Sequence, residues 1–482
     1  MDTHRKILHE QFTSYVGKTS LAEVMALCTI PVMLFSIRHI SASLLGLKLR
    51  NPVINILWDS LCVISPMILL LTTANQYVLV AWMSASALLL ILKLFPKRCK
   101  ETVPITFEYV IGLDDTKSVL MLLTGLMLLN IDLPVCPRRF AKTHMYGFSL
   151  MDTGTGWAIM LSGFSSYHYV LFPSRVSSNF RRLVKRGVLP ALFIGSIRVC
   201  LISVLNYQQP PEEYGTHWNF FFTFAFTRLF SCVVLSTHVF THPHSLTRRL
   251  FILLAITVFS FLMSSYIDQK ISLILTQDEH WPSAKTRSSS LLLANAEGLL
   301  SLPGYTVIYF CGMLYMILVR LLFDSSTKKT ISLLAYAIFN LFFIIFSYAY
   351  LNCLGWHSIS RRFANPGYIA FILVVSILGT CYSGLIRYLC GRANASPPSV
   401  LMLCTSSFGM AYFLISNVAT GIVNLLVDTL SFLPPNAFVD PNTGVYPVGT
   451  YSTVVQLLIL LMYTVLCVVV VFVFNTKSLR FP

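Results

Sequence analysis

Apolar runs of about twenty residues recur along this chain and limit its fold more than anything else in it. The segment from Val454 to Phe474, VVQLLILLMYTVLCVVVVFVF, is the plainest. Such a run matches the ~20 residues that a helix needs to cross a bilayer, whereas a barrel strand spans in ~10 with strict alternation. In lipid every backbone polar group must be satisfied internally, so continuous runs of this length read as helices. The expected fold class is all-α, a polytopic integral membrane protein. Composition agrees, with mean hydropathy +0.71, 55% hydrophobic and only 11% charged residues.

A window of about nineteen residues predicts thirteen helices, near 21–40, 54–73, 77–95, 117–135, 148–168, 188–206, 218–240, 250–268, 304–323, 331–351, 366–386, 401–423 and 454–474. The weakest are 148–168, which includes Asp152, and the long run from 401. No soluble domain fits between the spans. The expected organisation is a polar segment over 1–20, one multi-span domain over 21–474 and a short tail over 475–482. The opening MDTHRKILHEQFTSYVGKTS is too polar for a secretory h-region, so the first apolar helix is expected to be retained. Twelve cysteines without CxxC spacing read as small hydrophobes, not as a metal or disulfide framework.

Loop cations set the orientation. With thirteen spans, the segments on the side of the N-terminus hold roughly 11 Lys and Arg and the opposite segments roughly 18, so the C-terminus is expected in the cytosol and the N-terminus in the lumen. The cluster at Arg181, Arg182, Lys185 and Arg186 suits a loop on anionic headgroups, and the net charge of +16 needs no nucleic acid to explain it.

Against this pattern NIDLPVCPRRFAK, Asn130 to Lys142, stands out: Arg138, Arg139 and Lys142 lie on the cation-poor side, just past the carboxylate Asp132. One reading is structural, with Asp132 paired to an arginine and the prolines ending a helix. The other is functional, because an ionisable group at membrane depth is costly, at least ~2.5 to 3.5 kcal/mol for a central Asp. Five further polar stretches fall at the same ends of their helices: SLMDTGTGWAIMLSG, EYGTHWNFFFTFAF, ANAEGLLSLPGYTVIYF, RRFANPGY and NVATGIVNLLVDT.

On these strings the chain resembles the inositol acyltransferases of glycosylphosphatidylinositol assembly, called PIG-W in animals and GWT in fungi. The resemblance covers nearly the whole chain. It begins with QFTSYVGKTSLAEV at Phe12, Gly17, Ser20 and Glu23, and departs from the family's pattern at Trp157 and at Ala296, where a basic residue is usual. It implies an endoplasmic-reticulum enzyme that moves a fatty acyl group, usually palmitoyl, from acyl-CoA to the inositol 2-hydroxyl of glucosaminyl-phosphatidylinositol. The family's proposed catalytic pair maps onto Asp132 and Lys142. Acyl-CoA enters as a co-substrate, and no permanently bound cofactor or metal is expected.

That chemistry suits the pair. A sugar-like hydroxyl needs a base as it attacks a thioester, and a carboxylate in low dielectric is shifted toward the useful range. Lys142 could meet the developing oxyanion or hold Asp132 ionised and oriented. No activated Ser or Cys is evident, so direct transfer is favoured over an acyl-enzyme, although Cys136 lies within the motif. Arg138 and Arg139 could fork onto phosphate or anchor a helix end at the headgroups. Asp152, His217, Asn219, Asn295, Glu297, Asn417, Asn424 and Asp428 complete the candidate substrate-binding set. Each has a plainer alternative as a cap, an interface residue or an interhelical hydrogen bond. His217 is the reserve base. His242 and His244 lack a third metal ligand and read as a loop.

Three other classes compete with this reading. A non-catalytic lipid scaffold predicts that Asp132→Asn and Lys142→Ala leave product formation intact. A transporter would also place charges such as Asp59, Arg198 and Arg228 within spans, but it predicts internal repeats that this sequence lacks. A His-based membrane acyltransferase would need a buried histidine, for which His168 and His238 are the candidates.

Overall fold

The computed structural model describes residues 12, 14, 18–47, 49–94, 107, 111–172, 180–205, 213–241, 245–277, 281–325, 329–390, 399–433, 446 and 448–475, and every regular element among them is helical. Most of 1–20, His242, His244 and the tail beyond 475 lie outside these residues, as do the side chains of Arg182, Arg186 and His238. Thirteen described helices have fourteen residues or more: α1 Leu21–Leu44, α2 Pro52–Leu70, α3 Val78–Leu94, α4 Leu113–Asn130, α5 Thr153–Ser166, α6 Leu189–Leu205, α7 Phe220–Leu235, α8 Leu246–Gln277, α9 Ala296–Ser325, α10 Lys329–Leu354, α11 Pro366–Cys390, α12 Gly409–Leu426 and α13 Thr450–Asn475.

The chain is a multi-pass membrane protein. Among the described residues nine helices, α1 to α3 and α8 to α13, are long and apolar enough to cross a membrane. The other four each overlap a predicted span but do not combine enough length with enough apolar character. Helix α4 opens on Asp114, Asp115 and Lys117, and the prolines at 134 and 137 prevent its continuation. Helices α5, α6 and α7 have 14, 17 and 16 residues, or roughly 21 to 26 Å at the usual rise, against a hydrocarbon core of ~30 Å.

Two compact units divide the chain. One unit, central along the chain, takes residues 1–12, 143–148 and 155–376; the other, flanking it in sequence, takes 13–142, 149–154 and 377–482. In the flanking unit α1 starts on Ser20, whose Oγ accepts from the Glu23 amide at 3.1 Å, and α2 starts on Asn51 with Pro52 in its first turn. A π turn over Ser60–Ile64 lies just before Pro66, which has no N–H to give the helical ladder. Two buried ion pairs brace this unit. Asp59 accepts from Arg38 Nε at 2.7 Å, from Ser399 Oγ at 2.9 Å and from the Leu401 amide at 2.9 Å, tying α1 and α2 to the start of the short helix Val400–Ser406. Arg387 of α11 pairs with Asp115 of α4. Asp59 therefore has a structural duty, which removes its support for a transport pathway.

In the central unit helices meet through hydroxyls and small residues, as expected where lipid offers no hydrophobic drive between them. Tyr309 of α9 donates to Ser166 of α5 at 2.7 Å, and Tyr315 of α9 to Asn340 of α10 at 2.6 Å. Gly156 on α5 lets the helix approach α11 so closely that a Cβ there would fall 2.5 Å from Ile372; its amide donates to Tyr368 Oη at 3.1 Å.

Candidate active site

The six polar stretches separate into two groups of three. NIDLPVCPRRFAK, SLMDTG and the α12 stretch belong to the flanking unit, whereas EYGTHWN, ANAEG and RRFAN belong to the central one.

In the flanking unit α4 ends at Asn130 and the chain continues as a series of tight turns. The Asp132 amide donates to Leu129 O at 3.1 Å, Leu133 to Asn130 O at 3.0 Å, Cys136 to Leu133 O at 3.1 Å and Phe140 to Pro137 O at 3.1 Å. Asp132 is 8% exposed, and its Oδ2 accepts from Asn424 Nδ2 of α12 at 2.7 Å. Next to it Arg138 is fully enclosed. Its Nε donates to Cys136 O at 3.1 Å, Nη1 to Ile131 O at 2.6 Å and Nη2 to Leu133 O, with the Tyr446 ring 5.6 Å from the guanidinium carbon. A helix C-terminus carries orphan carbonyls and partial negative charge, and a buried cation answers both. Burial pulls Arg138 below the usual guanidinium range, and the Asp132 carboxylate opposes that pull. Burial also pushes the Cys136 thiol up to about 12, which keeps it protonated at neutral pH.

Arg139 faces elsewhere. Its Nη2 donates to Glu23 Oε1 at 2.7 Å and to Asn75 Oδ1 at 2.8 Å, and its Nε to Glu23 Oε1 at 3.2 Å. Both arginines expected to fork onto phosphate thus direct these donors to the protein itself. Lys142 follows, half-buried. Phe140 O receives the Met151 amide at 3.2 Å, and Ser149 Oγ donates to the buried Asp152 carboxylate at 3.0 Å. Asp152 therefore sits in a turn ahead of α5, not within it, which is why the helix is shorter than predicted. Gln456 of α13 accepts the Val135 amide at 2.9 Å. Of the remaining α12 candidates, Asn417 donates back to Phe413 O at 2.8 Å, and Asp428 is exposed and caps the 3-10 turn Thr429–Phe432.

In the central unit the stretch 213–219 is laced to 294–298. The Thr216 amide donates to Ala294 O at 2.8 Å, the Gly298 amide to Tyr214 O at 2.8 Å and the His217 amide to Asn295 Oδ1 at 2.9 Å. Gly298 has no alternative, because a Cβ there would lie 2.4 Å from the Trp218 ring. Glu297 is wholly buried in the first turn of α9, and it pairs with Arg287 and, at 2.6 Å, with Arg362. Arg361 lies 3.7 Å from Glu213 and over the Tyr214 ring. His217 is exposed. Asn219 caps α7, accepting the Phe221 amide at 3.0 Å and donating to Gly195 O at 3.0 Å. His168 packs against Tyr169, ring centroids 4.1 Å apart.

Glu23, Asn75, Arg287 and Gln456 are among the residues whose contacts the sequence reading did not assign. Arg287 bore the same signal as Arg138, a cation in a cation-poor segment. Glu23 bore another, the Ser-x-x-Glu spacing of a capping box.

Residues 5–439 match the GWT1 family. The chain is 31% identical over 331 residues to GPI-anchored wall transfer protein 1 of Schizosaccharomyces pombe, covering 67% of each protein. It is 29% identical over 342 residues to the protein of that name in Kluyveromyces lactis, covering 70% of this chain and 71% of the relative. It is 27% identical over 428 residues to glucosaminyl-phosphatidylinositol-acyltransferase PIGW of Mus musculus, covering 78% and 82%.

Proposed function

The chain belongs to the GWT1 family, and from that premise we propose that it transfers a fatty acyl group to glucosaminyl-phosphatidylinositol in the assembly of glycosylphosphatidylinositol anchors. The substrate is the one named for the mouse relative. The acceptor atom is the inositol 2-hydroxyl, and the donor is acyl-CoA, chiefly palmitoyl-CoA. The protein works in the endoplasmic-reticulum membrane with thirteen spans forming one acyltransferase domain, its N-terminus lumenal and its C-terminus cytosolic.

The observation that carries a chemical role is the buried Asp132 carboxylate held by Asn424 at 2.7 Å. In the step we infer, Asp132 takes the hydroxyl proton as the oxygen attacks the thioester carbonyl. Lys142 faces the oxyanion that forms. The tetrahedral intermediate then collapses, the C–S bond breaks, and the proton passes from Asp132 to the departing CoA thiolate, so that ester and thiol leave and no net proton is consumed. Asn424 orients the base, and Arg138 and Arg139 hold the loop that joins it to Lys142. Asp152 closes that loop at the start of α5. Asn417 on α12, Asp428 just beyond it, and, in the central unit taken by itself, Asn295, Glu297, His217 and Asn219 are further candidate substrate-binding residues. The protonated state of Cys136 supports direct transfer without an acyl-enzyme.

Microsomes from cells lacking the native enzyme, supplied with labelled palmitoyl-CoA and glucosaminyl-phosphatidylinositol, test this reading. The intact chain is expected to give an inositol-linked acyl product, and its absence would end the proposal. A glycosylation acceptor inserted at the exposed His144 tests orientation; an active but unmodified protein would overturn the lumenal placement.

A further inference from the structure

We propose that Glu23 is a positioning residue of the acyltransfer centre and acts through Arg139; the inference rests on the reading that Asp132 and Lys142 carry the chemistry. The sequence Ser20-Leu-Ala-Glu23 has the form of a capping box. In that motif the carboxylate turns back to the N-cap amide, so that both side chains serve their own helix. Only the serine half is made that way here, through the Glu23 amide and Ser20 Oγ at 3.1 Å. The Glu23 carboxylate instead crosses to Arg139, 116 positions later in the chain, where Oε1 receives Nη2 at 2.7 Å and Oε2 receives Nε at 3.3 Å.

Arg139 is gripped twice more, once from beside Ser20 and once from a separate turn. Thr19 Oγ1 donates to the Arg139 carbonyl at 2.6 Å, and Asn75, from the turn that precedes α3, accepts from Nη2 at 2.8 Å. Side chain and main chain of one residue are thus fixed from outside its own loop. Glu23 and Arg139 are each only 13% exposed at the side chain, so their attraction is screened far less than that of a surface pair. Arg139 is followed by Phe140, fully buried, and then by the short run to Lys142. Holding Arg139 therefore fixes the approach of the chain to Lys142, in a reaction where a displacement of about 1 Å can cost ~100-fold in rate. Such a residue never touches substrate. Its loss should appear in turnover and not in donor affinity.

The test uses the full chain in the microsomal assay, with kcat and the KM for palmitoyl-CoA measured beside the amount and melting temperature of folded protein. Glu23→Gln is expected to lower kcat about tenfold or more while KM stays within about twofold. Glu23→Asp, which keeps the charge on a shorter stem, should recover part of the loss. Thr19→Val, which removes only the hydroxyl on the Arg139 carbonyl, should lower kcat in the same sense. In an Arg139→Gln background Glu23→Gln should add nothing, because both remove one contact. Wild-type kcat in Glu23→Gln and in Thr19→Val, a loss that merely tracks the loss of folded protein, or effects of Glu23→Gln and Arg139→Gln that multiply would overturn the proposal. An intact chain that makes no product would overturn the acyltransfer reading and this inference with it, whereas an active chain indifferent to Glu23 overturns the inference alone.

Discussion

Asn424 donates its side-chain amide to the Asp132 carboxylate across 2.7 Å, although 292 positions separate the two in the chain. The bond leaves a carboxylate that is nearly buried with a donor fixed by the end of α12. Asp132→Asn is expected to remove the base and lower acyl transfer about 100-fold or more, with the protein still folded. Asn424→Ala should act more mildly, about tenfold, because the carboxylate remains. Product formed per folded protein in microsomes checks both, and an Asn424→Ala variant as inactive as Asp132→Asn would reverse that ranking.

Arg138 serves the loop through three carbonyls at once. Arg138→Gln should destabilise the protein by about 3 to 5 kcal/mol, as expected when one side of a buried charged network is removed. Arg138→Lys should rescue little, since an ammonium cannot reproduce the planar fork. The midpoint of thermal unfolding in detergent reports both. A lysine variant that melts like the wild type would show that charge alone suffices.

The Cys136 thiol, pushed up to about 12 by burial, stays protonated throughout the range in which the enzyme would be assayed. A raised thiol pKa disfavours thiolate at every lower pH, so no limb of the pH–rate profile between about pH 6 and 9 should belong to it. Cys136→Ala should keep both the rate and the shape of that profile. Thioester-linked acyl protein, trapped by quenching during turnover, would contradict direct transfer.

Glu297 in the central unit answers two arginines, Arg287 and Arg362. Glu297→Gln keeps the shape but strands both guanidinium groups, at a cost of about 3 to 5 kcal/mol. Folded yield and melting temperature should both fall, and Arg362→Met placed on Glu297→Gln should restore part of the loss by removing one stranded charge. A double variant less stable than Glu297→Gln alone would show that Arg362 is held by more than Glu297.

Trp157 is 1% exposed and its indole N–H has no hydrogen-bond partner among the described residues. Trp157→Phe removes that unsatisfied donor while leaving most of the ring volume, so the two effects should nearly cancel, within about 1 kcal/mol. A melting temperature that drops by many degrees would mean that the N–H is satisfied in the membrane.

Hydropathy found where the helices lie because lipid makes the same demand on every span, and each predicted run overlaps a helix. It could not set their ends. Helix α8 extends to Gln277 through Tyr266, Asp268 and Lys270 because helical hydrogen bonds continue where hydropathy falls, whereas α5 begins only after the Ser149–Asp152 turn. The anomalous cations marked the loop from Asp132 to Lys142 as unusual, but not that Arg138 would turn inward or that Arg139 would meet Glu23. Those are choices of partner, made by packing between distant segments, and side-chain chemistry alone does not encode them.

The carbonyls that hold Arg138 lie two, five and seven positions from it in the chain. A ring that local can close while the ribosome is still working, and it lets a guanidinium enter the membrane region already neutral in its hydrogen bonding. Asn424, which donates to Asp132, comes much later, with α12. The ring around Arg138 can therefore close before Asn424 is made, whereas Gln456 of α13, which accepts the Val135 amide, joins the loop only after it.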